Sequence, residues 1–211
     1  MTDRWSAHAE AYRTSEAHRS GADLELLAEW AEGASALDVA TGGGHVARRL
    51  REAGLQVVTL DPSPGMRADV LSAAEELPFA DASFDVVVTR IAPHHFTDVQ
   101  AAMNEMARVS GGLVLVVDNL YRGEAVEQAE RLRDPTHVRS YSEEEWRAFL
   151  ERAGLAVEAV ELIDTTIDID AWLERAGCTG DEAERVRALL VDLVDGGRLQ
   201  MTRIALKARK R

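Results

Sequence analysis

Cysteine is almost absent from this chain: Cys178 is the single one among 211 residues. An intrachain disulfide is therefore excluded, and the composition suits a reducing compartment. Long apolar runs are missing as well. No stretch approaches the roughly 20 residues that span a bilayer as a helix. The amino-terminal MTDRWSAHAEAY lacks a basic region followed by an apolar run, so it does not read as a secretory signal. The expectation is a cytoplasmic protein with no membrane partner. Positive charge is in deficit, with 24 Lys+Arg against 37 Asp+Glu and a net charge of −13. Such a chain repels phosphate backbones and anionic lipid, so nucleic acid is not an expected partner. The basic end (Lys207, Arg209, Lys210, Arg211) reads as a solvated terminus. Tandem repeats and low-complexity linkers are missing too, and the length suits one domain over residues 1–211.

What is present is an alternation of apolar, β-rich runs with helical patterns. Strands are expected at residues 36–40, 56–60, 84–89, 113–117, 157–163 and 199–208, with a very short one at 70–72. The runs VVVT and LVLVV are continuously apolar, as in strands covered on both faces. Helical spacing follows at 46–53 and 99–109, and Ser142 with Glu145 three residues on forms a capping-box pattern. Residues 168–197 read as two helices inserted before the last strand, and residues 1–33 as an amino-terminal helical cap. The alternation argues for a doubly wound α/β sheet.

The most informative stretch is LDVATGGGHVA, from Leu37 to Ala47. An apolar strand runs into Gly42, Gly43 and Gly44, and a helix follows. Glycines allow a tight turn and a close ligand approach, and the helix start offers free N–H groups. The spacing Gly42-x-Gly44-x-x-Ala47 meets the dinucleotide fingerprint with alanine as its third member. Asp61 stands about 20 residues on, where an acid holds ribose hydroxyls. A plain strand-to-helix turn, and an Asp61-Pro62 turn, are the bland alternatives. The fingerprint alone does not separate a nicotinamide cofactor from S-adenosylmethionine. Asp38, inside the first strand, favours a cationic ligand by charge; its alternative is a hydrogen bond to nearby backbone amides.

Together, LDVATGGGHVA, VVTLD, AEELPFADASFDVVVTR and the following HHF resemble class I S-adenosylmethionine-dependent methyltransferases. The likeness is to the methyltransferase type 11 group, which includes ubiquinone and menaquinone C-methyltransferases. It covers roughly residues 37–119, with fainter likeness at Tyr12, Ser15, His18 and Gly21 and at RLRDPTHVR. The resemblance implies a Rossmann-like sheet of about seven strands, the last antiparallel, with helical lid elements. It implies S-adenosylmethionine as cofactor, S-adenosylhomocysteine as product and a small-molecule methyl acceptor. It places Asp38, Gly42 and Gly44 along the methionine part and Asp61 on the ribose. Pro62 and Met66 fall against the adenine, Ala74 and Glu75 at its edge, and Arg90 by the methionine end. Tyr12 joins them as a cofactor contact, and His18 is a candidate for the cofactor carboxylate. Two departures stand out: Ala73 replaces the family's usual aspartate, and the helix between the second and third strands is reduced to a turn.

Ligands of open α/β sheets bind at the carboxyl ends of the strands, which brings forward Arg90, His94, His95 and Phe96. The insert and the amino-terminal helix are expected to form a lid, lined by Phe96, Tyr121, Trp146 and Trp172 unless these pack in the core. A base is needed where the acceptor must lose a proton. His95 is the first candidate, then His94, then His137; the alternative is that the pair only shapes its loop. His8, His18 and His45 read as structural. No carboxylate spacing supports a metal at His94, His95 and His137. Two other functions fit the glycine turn, a non-catalytic S-adenosylmethionine-binding regulatory module and a nicotinamide-dependent oxidoreductase.

Overall fold

The structure is a computed structural model and describes Ser6, Glu10, Arg13 and residues 19–211. Tyr12, Ser15, His8 and His18 lie outside the described residues, as does most of the expected amino-terminal helix. The elements, in chain order, are α1 (Ala22–Trp30), β1 (Ser35–Val39), α2 (His45–Glu52), β2 (Gln56–Asp61), β3 (Val70–Leu71), β4 (Phe84–Arg90), α3 (Val99–Val109) and β5 (Ser110–Asn119). There follow α4 (Glu124–Arg133), α5 (Glu143–Arg152), β6 (Leu155–Asp168), α6 (Ile169–Arg175), α7 (Gly180–Leu189), β7 (Val194–Asp195) and β8 (Arg198–Lys210). One sheet contains all strands in the order β3-β2-β1-β4-β5-β8-β6, with β7 paired to β8. The pairs among β1 to β5 are parallel, and β8 is antiparallel to both β5 and β6. The two-residue β7 is the addition to the seven expected strands.

The apolar runs explain the layering. Leu37, Val39, Val87, Val114 and Val116 point to one face, where they meet Met103 and Met106 of α3 and Trp146 and Leu150 of α5. Their alternates Ala36, Val86, Val88, Leu115 and Val117 point to the other face, against Leu24 and Leu27 of α1 and Val46 and Leu50 of α2. A strand segment buried on both sides must be apolar at every position, and the central runs Val86–Val88 of β4 and Leu113–Val117 of β5 are. The helix ends follow local chemistry. Asp98 accepts the amide of Ala101 to start α3, and Ser142 and Glu145 complete the expected capping box of α5.

Where the usual second helix is missing, Pro64–Met66 forms a single 3-10 turn. The loop after β3 is held from the side instead. Arg108 donates to the carbonyls of Leu77 and Phe79, and Glu105 accepts the Leu77 amide. The β6–β8 ladder runs from Leu155↔Lys210 to Asp168↔Arg198, whereas β5 reaches only Arg203. Residues 198–202 therefore overhang the carboxyl edge of the sheet and carry the insert over it. There α4, α6 and α7 close a third apolar cluster around Trp172, Leu173, Cys178 and Val186.

Candidate functional site

Two strands leave the sheet at this carboxyl edge through strained backbone. Ala40 follows β1 with φ 55° and Ile91 follows β4 with φ 53°. Such left-handed values are unfavourable for residues with a Cβ, most of all a β-branched one. Both residues line a cavity of about 310 Å³, within the usual size of a small-molecule site. The strain sits where the chain must turn sharply to leave room for a ligand.

The glycine turn forms one wall. Gly42 has φ 52°, and a Cβ placed on it would meet nothing within 4 Å. The turn therefore presents bare backbone to open space. Gly42 and Gly43 line the cavity. Gly44 does not: with φ 76° it caps α2, its amide donating to the Thr41 carbonyl at 2.9 Å. The residue expected beside the ligand thus forms the turn and starts α2. His45, expected to be structural, is buried and lines the cavity.

Two acids lie on the floor. Asp61, at the end of β2, accepts the amide of Gly42 on Oδ2 at 3.0 Å and that of Ser63 on Oδ1 at 2.9 Å. The second bond is the Asp-Pro turn foreseen as an alternative, and the first fixes the acid to the glycine turn. Asp38 is 1% exposed. Its Oδ2 accepts from Thr41 Oγ1 at 2.5 Å and from the Ala47 amide at 3.1 Å. Burial pushes its pKa up to about 6; the two hydrogen bonds and Arg90 work against that, and Asp61 adds repulsion. A cation placed beside Asp38 would relieve this penalty.

Pro62, Met66 and residues 73–75 form the opposite wall. Glu75 is tied down, since its Oε1 accepts the amides of Thr97 at 2.9 Å and Asp98 at 3.2 Å. Its carboxylate thus bridges the two loops that flank the cavity. Arg90 also lines the cavity, but its Nε donates to Asp23 Oδ2 at 2.6 Å. Asp23 takes Arg203 Nη1 on its other oxygen at 3.0 Å. Burial works to raise the pKa of Asp23, and the two arginines outweigh it and hold it below the ordinary carboxylate range. This buried trio joins α1, β4 and β8. Gly21 makes it possible: a Cβ there would lie 2.6 Å from Asp23 Oδ1. Sequence reasoning missed Asp23 and Arg203, because an acid in a first helical turn and a basic residue in a strand are both ordinary.

The three candidate histidines come together but face different partners. The ring centroids of His94 and His95 are 4.1 Å apart, and those of His94 and His137 5.4 Å. His95 and Phe96 line the cavity; His94 and His137 do not. His94 Nδ1 donates to the buried Asp118 at 2.5 Å. Burial opposes charge on that ring, and Asp118 outweighs it, so its pKa is raised. His137 Nε2 is bonded to Glu127 at 3.2 Å. His95 Nδ1 lies 3.0 Å from the Thr136 carbonyl, which only accepts, so the proton of the neutral ring is on Nδ1 and Nε2 is the acceptor nitrogen. Burial and the neighbouring His94 hold the pKa of His95 well below its ordinary value. The backbone of this turn also ties two loops together, because the His94 carbonyl accepts the amides of Val138 and Arg139. Among the described residues no group of His, Cys, Asp and Glu is arranged to hold a metal. None of their helices is long and apolar enough to cross a membrane.

Of the proposed aromatic lining, only Phe96 reaches the main cavity. Trp146 is wholly buried under the sheet and meets Tyr141 edge-on. Trp172 belongs to the insert's own cluster and walls a smaller cavity.

A family profile described as a methyltransferase domain matches residues 37–116. The uncharacterized methyltransferase YcgJ of Bacillus subtilis is 33% identical over 208 residues, covering 86% of this chain and 82% of that protein. A demethylmenaquinone methyltransferase of Renibacterium salmoninarum is 38% identical over 98 residues, 41% of each chain. Among solved structures, a candidate methyltransferase of Bacillus halodurans superposes with a TM-score of 0.80 at 29% identity, over 90% of this chain and 99% of that one. The YcgJ crystal structure also gives 0.80, at 28% identity over 90% and 98%.

Proposed function

Since the chain belongs to the class I S-adenosylmethionine-dependent methyltransferases of the type 11 group, we propose that it methylates a small-molecule acceptor by direct displacement. The observation that carries this reading is the cavity built on Asp38, Gly42 and Asp61 and bordered by His95 and Phe96. One side offers grips for an adenosine and a cation, and the other leaves a histidine for an acceptor. The bare glycine backbone and the two oriented acids fit S-adenosylmethionine: Asp61 suits the ribose hydroxyls and Asp38 the cationic methionine end. Pro62, Met66 and the backbone of residues 73–75 suit the adenine, so no acid is required at Ala73. When bound, the cofactor supplies an electrophilic methyl group on a sulfonium, and displacement by an acceptor lone pair leaves S-adenosylhomocysteine.

The chain's own contribution is placement. Aligning nucleophile and methyl supplies much of the rate in such a displacement. His95, held neutral, accepts a hydrogen bond on Nε2 and orients an acceptor that carries a hydrogen; its low pKa makes it a better aligner than proton store. His94, clamped to Asp118, fixes the position of His95. The family assignment sets the nicotinamide reading aside, and turnover separates an enzyme from a binding module.

Calorimetric titration tests the cofactor reading. We expect micromolar-range binding of S-adenosylmethionine and S-adenosylhomocysteine, weakened at least tenfold by Asp61→Ala. Absence of heat with both ligands refutes the assignment, and an unchanged affinity in Asp61→Ala removes Asp61 from the ribose. Release of S-adenosylhomocysteine across a panel of small-molecule acceptors tests turnover.

A further inference from the structure

A second cavity of about 50 Å³ adjoins the main one, and Ile91 and His95 line both. That volume holds a few water-sized groups, so it suits one functional group and not a whole ligand. Three guanidinium side chains line it, each from a different element: Arg133 ends α4, Arg175 ends α6 and Arg203 lies in β8. This convergence occurs in a chain of net charge −13. The acids around it are already engaged. Asp23 serves both Arg90 and Arg203, Glu130 accepts from Arg133 at 2.8 Å, and Asp118 holds His94.

The Arg133 and Arg203 guanidinium groups are also held in place. The Arg133 guanidinium lies 4.2 Å from the Trp172 ring centroid, and its Nε donates to the Trp172 carbonyl at 3.2 Å. The side chains of Arg133 and Arg203 are only 10% and 8% exposed. Buried, oriented guanidinium groups present a planar fork of donors that matches an oxyanion. Asn119 adds a polar side chain to the same wall, and Trp172 supplies an apolar one.

We infer that the second cavity binds a carboxylate or phosphate group of the methyl acceptor. Arg133, Arg175 and Arg203 anchor the anion, and the acceptor reaches past Ile91 and His95 into the main cavity. The inference rests on the methyl-transfer reading and adds the substrate class: an acid whose nucleophile lies a short bond path from its anionic group. The insert then acts in specificity, because it contributes Trp172 and Arg175 to the anion's surroundings.

Calorimetry with benzoate and with inorganic phosphate, at constant chloride, tests this in wild-type protein with and without saturating S-adenosylhomocysteine. At least one anion is expected to bind at one site per chain, and which one does tells carboxylate from phosphate. Arg175→Gln should weaken that binding at least fivefold, and Arg175→Lys, which keeps the charge, should weaken it less. If Arg175→Gln does not fold, Arg133→Gln takes its place. No binding of either anion to wild type overturns the inference, as does binding that is unchanged in Arg175→Gln. Anion binding sensitive to Arg175, in a protein that does not bind S-adenosylhomocysteine, refutes the cofactor assignment and leaves the anion site standing.

Discussion

Replacing Asp38 by asparagine should make the ligand-free protein more stable while impairing its site. Asp38 is buried, and its pKa rises from 3.8 to about 6. At about 1.4 kcal/mol per pH unit, keeping this carboxylate ionised in the folded protein costs about 3 kcal/mol at neutral pH. The sign follows from the raised value. Below pH 3.8 the folded and unfolded chains both hold the proton and there is no penalty. It grows between 3.8 and about 6 and is constant above. An asparagine keeps the shape, its side-chain oxygen accepting from Thr41 and Ala47 where Asp38 Oδ2 does now. Urea denaturation should therefore show Asp38→Asn more stable than wild type by about 2–3 kcal/mol at pH 7.5, with the gap roughly halved at pH 5. The same variant loses the negative charge offered to a cationic ligand, so S-adenosylmethionine affinity should fall at least tenfold. In wild type that affinity should rise with pH through about 6 and then level off. Equal stabilities at both pH values, or a gap that widens toward acid, would refute the reasoning.

The opposite result is expected at Asp23, whose carboxylate serves two buried arginines. Asp23→Ala should destabilise the fold by about 3–5 kcal/mol, the cost of removing one side of a buried ion pair; a loss under about 1 kcal/mol in urea would show that the trio contributes little. Ala40→Gly should stabilise by about 0.5–1 kcal/mol, because relief of the left-handed strain at φ 55° exceeds the added freedom of the unfolded chain. A lower melting temperature for that variant would mean that the turn is not strained.

The parallel core was legible because its code is local. Continuous apolar runs made β4 and β5, and α3 was read with the bounds the structure gives it. Strand ends were less legible. The extension of β6 to Asp168 depends on pairing with a distant β8, and that segment is polar on its exposed side. In the site, Asp38, Gly42 and Asp61 were readable from a short motif whose spacing carries the geometry. Asp23 and Arg203 were not, since they meet across a separation of 180 residues and no pattern in the chain links them. His94 and His95 look equivalent as neighbours in sequence. The single turn Pro93–His95 sends one ring to Asp118 and the other to Thr136 and the cavity.

The place of β8 in the sheet bears on how the protein is made. It follows every other strand described, yet it sits between β5 and β6 and is β6's only ladder partner among the described residues. During synthesis β1 to β5 can assemble as they emerge, but β6 must wait with an open edge, and so must the apolar edge of β5. The slot closes only when the final strand slides between them, a pairing of high sequence separation and hence slow. Until then the nascent chain carries two unprotected strand edges, which are templates for association with other chains. The glycine turn and its acids belong to the early half, whereas Arg203 arrives with the last strand, so this site is completed only by the closing step of folding.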